Sequence, residues 1–544
     1  MTESRWSLRA VPAHLEQRYV SDGWWTGATL GGRVAEWLAA APDTEVHIHS
    51  RSHDWHGTYA DIDQEARRLV SYLRREGIEP GAAVAFQIPN WRESVVAFTG
   101  LAMGGYILVP VTHIYGRKEV SFILEESGAV AYISPMAYGH VDYAEIVDSA
   151  APNSLRLHLV VGDGGDSPAS EGIRRTFWAG LGGCAPATEL PASEADDIAV
   201  LAYTSGTTSD PKGAIHNHRT LLSELAHMTA WTTVTRPNLM GSPVAHATGM
   251  LGGVLGPLHK SREIHLTDRW DPGHALEVML AYDVGGGVGA SIFLTSLLDH
   301  PDFTPEHAAK MVRVGLGGAP VPAAVGQRAE SLGIKIIRAY GSTEHPSVTG
   351  MQFDDLAELR HNTDGRPQPG VEMRIVDEDG RDLPAGIPGE IVTRGPELCL
   401  GYTNPDLNVA FDGDGWYSTG DIGVVDQHGC LTITDRVKDI IIRGGENLSA
   451  AEIEEVIAKV PGVAEVAVVA APDERLGEHA CAVIRLLPGT ETIALPDLFP
   501  QLEQAGLARQ KWPEELRLVV DYPRTASGKI RKVDLRAQLR EGTL

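Results

Sequence analysis

One stretch constrains this chain more than any other: Tyr203-Thr-Ser-Gly-Thr-Thr-Ser-Asp-Pro-Lys-Gly213. The apolar run Ile198-Ala-Val-Leu-Ala before it reads as a buried strand, and His216-Asn-His-Arg-Thr-Leu-Leu after it can begin a helix. A turn of small hydroxyl residues around Gly206 can bring several backbone N–H groups and hydroxyls onto one anion. Lys212 adds a cation, and Pro211 stiffens the exit. The stretch therefore reads as a loop that wraps nucleotide phosphates. It is not the P-loop, which needs G-x-x-x-x-G-K-[ST]. Taken alone, such a cluster is as well explained as a plain surface loop.

The flanking chain supplies layers. With 544 residues, two or more domains are expected. Thr58 offers an N-cap to a helix with Ile62, Ala66, Leu69 and Leu73 on one face, stopped at Gly77. Val84-Ala-Phe-Gln-Ile is a short strand, Trp91 to Met103 a second helix closed by Gly104-Gly105, and Tyr106-Ile-Leu-Val the next strand. Ala129-Val-Ala-Tyr-Ile and Leu157-His-Leu-Val-Val continue the series. This alternation predicts layered α/β sheets with mainly parallel strands. Residues 1–57 show no assignable pattern, and 163–195, rich in Gly, Ser, Pro and Ala, reads as a surface connection. Beyond Asn447 the pattern changes. A Ser449/Glu452 capping box opens a helix carrying Ile453, Val456, Ile457 and Val460, and a strand follows from Val463 to Ala470. This is a compact α+β unit of about 100 residues, an ordinary domain size.

Charge and cysteines exclude several classes. A net charge of −26 argues against a nucleic-acid partner, which needs a Lys/Arg footprint. Cys184, Cys399, Cys430 and Cys481 stand far apart without C-x-x-C spacing, which fits a reducing, cytoplasmic setting and gives no sign of a zinc site. No signal-peptide pattern and no run of about 18 apolar residues is present, so no stable membrane insertion is expected.

Further stretches carry chemistry. Ser242-Pro-Val-Ala-His246-Ala-Thr-Gly249 sets a histidine in a turn. Tyr282-Asp-Val-Gly-Gly-Gly-Val-Gly-Ala-Ser291 is dense in glycine. Val312-Arg-Val-Gly-Leu-Gly-Gly-Ala-Pro320 is a strand entering a Gly-rich turn. In Ile336-Ile-Arg-Ala-Tyr340-Gly-Ser-Thr343-Glu344 an aromatic, a hydroxyl and a carboxylate end a strand. A flat ring can stack on a base, and a carboxylate oxygen suits Mg²⁺. Trp416-Tyr-Ser-Thr419-Gly420-Asp421 offers a carboxylate able to accept two hydroxyls. Asp435-Arg436-Val-Lys438 leads to Gly444-Gly445, and Pro523-Arg-Thr-Ala-Ser-Gly-Lys529 closes the series.

Five of these stretches, in this order, resemble the signatures of the adenylate-forming superfamily of acyl-CoA synthetases, luciferases and peptide-synthetase adenylation domains. The resemblance covers nearly all of the chain beyond roughly the first 50 residues. One departure is Ser209, where the family usually has Gly. The resemblance implies a large N-terminal domain of layered α/β sheets (1–437) hinged at Lys438 to a small α+β C-terminal domain (438–544). It implies that Thr204, Ser205, Gly206, Thr207, Thr208 and Lys212 meet the ATP phosphates, and that Gly318, Ala319, Pro320 and Tyr340 meet the adenine. Asp421 and Arg436 would meet the ribose or phosphate. Thr343 would hold a phosphate oxygen, Glu344 and Thr204 Mg²⁺, and Lys529 the forming acyl phosphate. Gly444 and Gly445 would border a pantetheine channel, with His246 on the acid's side.

The implied activity is ATP-dependent ligation of a carboxylic acid to CoA through an acyl-adenylate, releasing AMP and pyrophosphate. No acidic residue near His246 matches an amino-acid substrate, so an uncharged tail is expected: fatty, alicyclic, aromatic or a steroid side chain. The glycine-dense segment suggests a wide pocket. A carrier-protein phosphopantetheine acceptor, a luciferase-like oxidation and a non-catalytic nucleotide sensor remain open alternatives. A homodimer is the base-rate expectation.

Overall fold

The computed structural model describes residues 5–139, 141–162, 167–168, 172–204, 211–231, 236–318, 321–436, 439–443, 446–473, 477–505, 507, 509–525 and 528–544. Its largest sheet has eight strands, in the order Lys212–Asn217, Ile198–Thr204, Ile107–Pro110, Ala83–Phe86, Ala131–Pro135, Leu157–Val161, Arg174–Phe177 and Ser167–Pro168. The inner strands pair in parallel. Every residue of Ala83–Phe86 and Ala131–Pro135 is buried, because a parallel sheet is covered on both faces.

The helix Tyr59–Arg75 opens on a reciprocal cap, Thr58 with Asp61, and buries Ile62, Ala66, Leu69 and Leu73. The helix Arg92–Met103 is buried from Ser94 to its end, and it is crossed so closely by the helix Leu30–Ala40 that a Cβ on Gly31 would lie 2.2 Å from the Ala102 carbonyl oxygen. Residues 1–57 therefore join the fold as two helices and two strands. The strands, Glu45–Ile48 and Trp55–Thr58, complete a sheet with Ile264–Leu266 and Leu239–Met240.

Two elements depart from expectation. Part of 163–195 is strand Arg174–Phe177 inside the main sheet. Its pattern is masked because inward-facing Arg175 is paired with Asp148 and bonds His158, a buried charge that is compensated. The phosphate turn also leads first into a strand, Lys212–Asn217, antiparallel to Ile198–Thr204, and the helix begins only at His218. Residues 204 and 212 face each other across this hairpin.

Two smaller sheets complete the large lobe. In one, Arg313–Gly317 and Lys335–Tyr340 run parallel; the other is antiparallel, Glu372–Val376, Gly389–Arg394, Tyr417–Val425 and Leu431–Arg436. The small lobe has a five-stranded sheet built on Val463–Asp473 and Gly477–Leu486, with its own apolar core around Ile453, Val468, Ile484 and Leu498. Ser449 caps Ala450–Ile457 as expected, but the Glu452 carboxylate pairs with Lys511 instead of closing the box. Among the described residues no helix is long and apolar enough to cross a membrane.

Candidate active site

Thr204, Gly318 and Tyr340 lie at the carboxyl ends of strands with parallel neighbours, where open α/β sheets place ligands. Gly317 and Ala339 are register partners, so Gly318 and Tyr340 end adjacent strands. Gly318 turns the chain with φ +75°, open to glycine at no steric penalty. Tyr340 is buried, and its hydroxyl donates to Asp421 Oδ2 at 2.7 Å. That bond fixes the plane of the Asp421 carboxylate and orients the tyrosine ring. The Asp421 amide is held by the Thr419 hydroxyl at 3.1 Å. Arg436 ends the neighbouring strand with its backbone opposite Asp421.

The Tyr340–Glu344 turn is tight. A Cβ at Gly341 would fall 1.8 Å from the Pro346 carbonyl oxygen, so glycine is required there. Thr343 is anchored through its main chain, its carbonyl accepting from His216 Nε2 at 2.8 Å. Because a carbonyl only accepts, His216 carries its proton on Nε2; burial, the dominant cause, holds this ring neutral with a pKa of about 4. Glu344 is buried, and its Oε1 accepts from the Tyr402 hydroxyl at 2.8 Å, which also meets the Tyr417 hydroxyl at 3.1 Å. Burial, then Glu344 itself, raises the pKa of Tyr402, so this donor stays protonated. Cys399 donates its amide to the Glu344 carbonyl at 2.8 Å, and burial, with Glu344, pushes its thiol up to about 12.

The hairpin is laced to this group. Leu400 N bonds Ile215 O, Ile215 N bonds Gly401 O, and Thr403 N bonds Gly213 O. Lys212 Nζ lies 5.9 Å from the centroid of the Tyr402 ring. Thr204, Lys212, Tyr402 and Glu344 thus form one connected wall.

The small lobe closes the opposite side. Lys529 sits in a turn held by Thr525, which accepts from its amide at 3.1 Å through Oγ1. Its side chain reaches the Gly318 turn: a Cβ on Gly318 would lie 3.8 Å from Lys529 Nζ. Neighbouring Gly528 passes so close to Ile292 that a Cβ there would lie 2.7 Å from its side chain. His246 caps the short helix Ala247–Gly249. Burial, and then the nearby Lys529 charge, lower its pKa to about 4, leaving a neutral imidazole beside the cation. A π-helical turn, Met250–Leu255, follows it, a distortion found often at functional sites.

The glycine-dense segment needs a correction. Gly285, Gly286 and Gly287 do not open a pocket, because the space beside them is filled by Asn238, Met279, and Leu294 with Met311. They are small to permit close packing. Only Gly289 (φ +105°) turns toward Ser242 and Thr248, and Ala290 and Ile292 then meet the Lys529 turn.

The structure thus brings together Lys212, Gly318, Tyr340, Thr343, Glu344, Asp421, His246 and Lys529, with Thr204 on the hairpin. Ser205, Gly206, Thr207, Thr208, Ala319, Pro320, Lys438, Gly444 and Gly445 lie outside the described residues. Sequence reasoning missed His216 and Tyr402. His216, three residues past the phosphate stretch, was read only as a helix start; Tyr402 acts from 58 positions beyond Glu344, at a distance no local pattern reveals.

A large α/β lobe and a small lobe that share a phosphate-type hairpin, a buried carboxylate and an inserted lysine define an enzyme that activates acids with a nucleotide. The chain belongs to the AMP-binding enzyme family: residues 34–403 match that family and 452–529 match the AMP-binding enzyme C-terminal domain. It is 30% identical over 531 residues to the medium-chain fatty-acid–CoA ligase of Escherichia coli strain K12, covering 96% of this chain and 93% of that one. It is 35% identical over 471 residues to a methyl-dioxo-octahydroindenyl propanoyl:CoA ligase of Mycobacterium tuberculosis strain H37Rv, covering 85% and 89%. The crystal structure of ATP-bound MatB from Rhodopseudomonas palustris superposes with a TM-score of 0.82 at 25% identity, covering 94% of this chain and all of that one.

Proposed function

We propose that this chain is an AMP-forming acid–CoA ligase acting on a carboxylic acid with an uncharged, largely apolar tail. The observation that supports it best is the meeting of Lys529, from the small lobe, with Gly318 and His246 of the large lobe. A cation is delivered there to the place where an acid and a nucleotide phosphate would join. A carboxylate is a poor electrophile and carries the same sign as the triphosphate it approaches. Lys212 and Lys529 reduce that repulsion, and preorganised charge of this kind is worth more in a dry site than in water. Glu344, a buried carboxylate held from behind by Tyr402, fits a hard cation that prefers oxygen ligands, with the Thr204 hydroxyl as second candidate. Bound Mg²⁺ would supply charge neutralisation at the phosphates.

In this reading the acid's oxygen attacks the α-phosphorus, the bond to the β-phosphate oxygen breaks, and pyrophosphate leaves. The CoA thiol, losing its proton, then attacks the adenylate carbonyl and AMP departs. Asp421, oriented by Tyr340, holds the ribose. Neutral His246 borders the acid's carboxylate without adding a competing charge. The small lobe turns about Lys438 between the two halves, withdrawing Lys529 and presenting Gly444–Gly445 to the thiol. The relatives' names cite a medium-chain fatty acid and an octahydroindenyl propanoate, which agree in offering one carboxylate on an apolar body. The cytoplasm supplies ATP and CoA and keeps thiols reduced, and all four cysteines stand as free thiols.

The test is a panel of fatty, alicyclic, aromatic and steroid-side-chain acids with ATP, Mg²⁺ and CoA, scored by AMP release. CoA-dependent AMP release with at least one apolar acid is expected. Release only with a phosphopantetheinylated carrier protein would move the acceptor, and no pyrophosphate exchange with any acid would overturn the reading.

A further inference from the structure

Behind Glu344 lies a second group of ligand-type side chains that this chemistry does not use. Glu224 and His227 are neighbours on the helix His218–Trp231, His345 follows Glu344, and Glu397 comes from the segment that also supplies Cys399 and Tyr402. All four are buried, Glu397 and His345 completely. His227 Nδ1 lies 3.3 Å and His345 Nε2 3.2 Å from the same Glu397 oxygen, Oε1. One ligand atom each from Glu224, His227 and Glu397 lies within 4.8 Å of the others. Beyond these imidazole–carboxylate contacts the inward atoms make no aligned hydrogen bond. Glu224 Oε2, His227 Nδ1, His345 Nε2 and both Glu397 oxygens account for 5 of the 20 buried side-chain atoms without one among the described residues.

The outward atoms, by contrast, are tied down. His227 Nε2 donates to the Pro369 carbonyl at 2.6 Å, which turns Nδ1 toward Glu397. His345 Nδ1 meets Thr393 Oγ1 at 2.8 Å, and Ser347 donates to Glu224 Oε1 at 2.7 Å. Outer bonds of this kind fix the tautomer and aim of metal ligands. Two ligands bound to one ion at 2.0–2.1 Å and a tetrahedral angle sit about 3.3 Å apart. The imidazole–carboxylate spacings match that separation. Two carboxylates would balance a dication, and mixed imidazole and carboxylate ligands suit zinc-class metals better than magnesium or calcium.

We infer that Glu224, His227 and Glu397, with His345 in reach as fourth ligand, form a buried site for a zinc-class dication, separate from the magnesium of the nucleotide. The ion braces three segments against one another: the helix after the phosphate hairpin, the turn bearing Glu344, and the 397–403 segment whose Tyr402 holds Glu344. Cysteine spacing could give no hint of it, because every ligand is Glu or His drawn from distant positions.

The test uses full-length protein stripped with a strong chelator, desalted, and titrated with Co²⁺ without magnesium or nucleotide. One equivalent should bind, with the visible absorption of tetrahedral cobalt, and Zn²⁺ should displace it and raise the Tm. Glu397→Gln and His227→Gln should weaken binding at least 10-fold, the range for disturbed metal sites. His47→Gln should leave it unchanged; this control disrupts the Glu45–His47–His56 group, whose middle member is buried, the other candidate set of ligands among the described residues. Absence of stoichiometric cobalt binding to the wild-type chain overturns the proposal whatever the variants do, and leaves a proton-sharing acid–imidazole cluster. Binding that survives Glu397→Gln and vanishes in His47→Gln overturns it equally. Because the readout needs no acid, ATP or CoA, its failure would not touch the ligase reading.

Discussion

Tyr402→Phe isolates one bond in the wall around Glu344. The ring is 3% exposed and packs near Phe411 and Lys212, contacts that phenylalanine keeps. What disappears is the hydroxyl, which donates 2.8 Å to Glu344 Oε1 and touches the Tyr417 hydroxyl. A hydrogen bond to a charged group contributes about 1.5–3 kcal/mol. With each 1.4 kcal/mol worth a factor of ten, a carboxylate loosened by this amount should bind its cation and serve the reaction about 10- to 100-fold less well. Exchange of labelled pyrophosphate into ATP, measured with saturating acid across a magnesium titration, separates the two readings. The half-saturating magnesium concentration should rise about 10-fold or more, and excess magnesium should restore much of the rate, because metal-site orientation has this reach. A fall in exchange with an unchanged magnesium midpoint would show that Tyr402 does not act through Glu344, and the reasoning would fail.

Lys529→Ala should lower pyrophosphate exchange about 10²- to 10³-fold, the range for loss of one preorganised charge, while transfer of a supplied acyl-adenylate to CoA changes little; equal loss in both halves would contradict this assignment. Tyr340→Phe removes the hydrogen bond that orients Asp421 Oδ2 and should raise the KM for ATP about 10-fold with kcat largely kept, read in steady-state kinetics. Acid should destabilise the fold through neutral buried histidines. Burial, reinforced by Arg175, holds fully buried His158 at about 3, below its unfolded value near 6.5, so the unfolded chain takes up the extra proton and stability falls as pH drops below about 6.5. Urea midpoints from pH 7.5 to 5 should show His158 contributing up to about 1.4 kcal/mol per pH unit, and His158→Gln should flatten the slope. An unaltered slope would remove this residue from the account.

Much of this molecule was legible in its letters. Thr58, the apolar face Ile62–Leu73 and the Gly104–Gly105 stop marked their helices because caps and periodicity are local signals. Tyr340, Glu344, Asp421 and Lys529 stood out because each stands within a few residues of a glycine that the backbone requires, as Gly341 shows against Pro346 and Gly420 and Gly528 show by their positive φ. Hidden features depended on distance in sequence. Arg175 disguised a strand because its partners, Asp148 and His158, lie elsewhere. The glycines at 285–287 suggested space and turned out to mark contact, since an absent side chain reads alike in both cases. The second strand of the hairpin was missed because it borrows its outer pairing from residues 400–403.

That borrowed pairing has a consequence for how the chain can vary. The bonds joining 213–215 to 400–403 run from main chain to main chain, so they ignore what the side chains are. Letters along this ribbon can drift, apart from Tyr402, from Gly401, whose φ of +130° few other residues tolerate, and from Gly213, where a Cβ would lie 2.6 Å from Thr403 Oγ1. Length cannot. One residue gained or lost before 402 would turn alternate side chains over and swing the tyrosine away from its carboxylate, silencing the chemistry in a chain still able to fold.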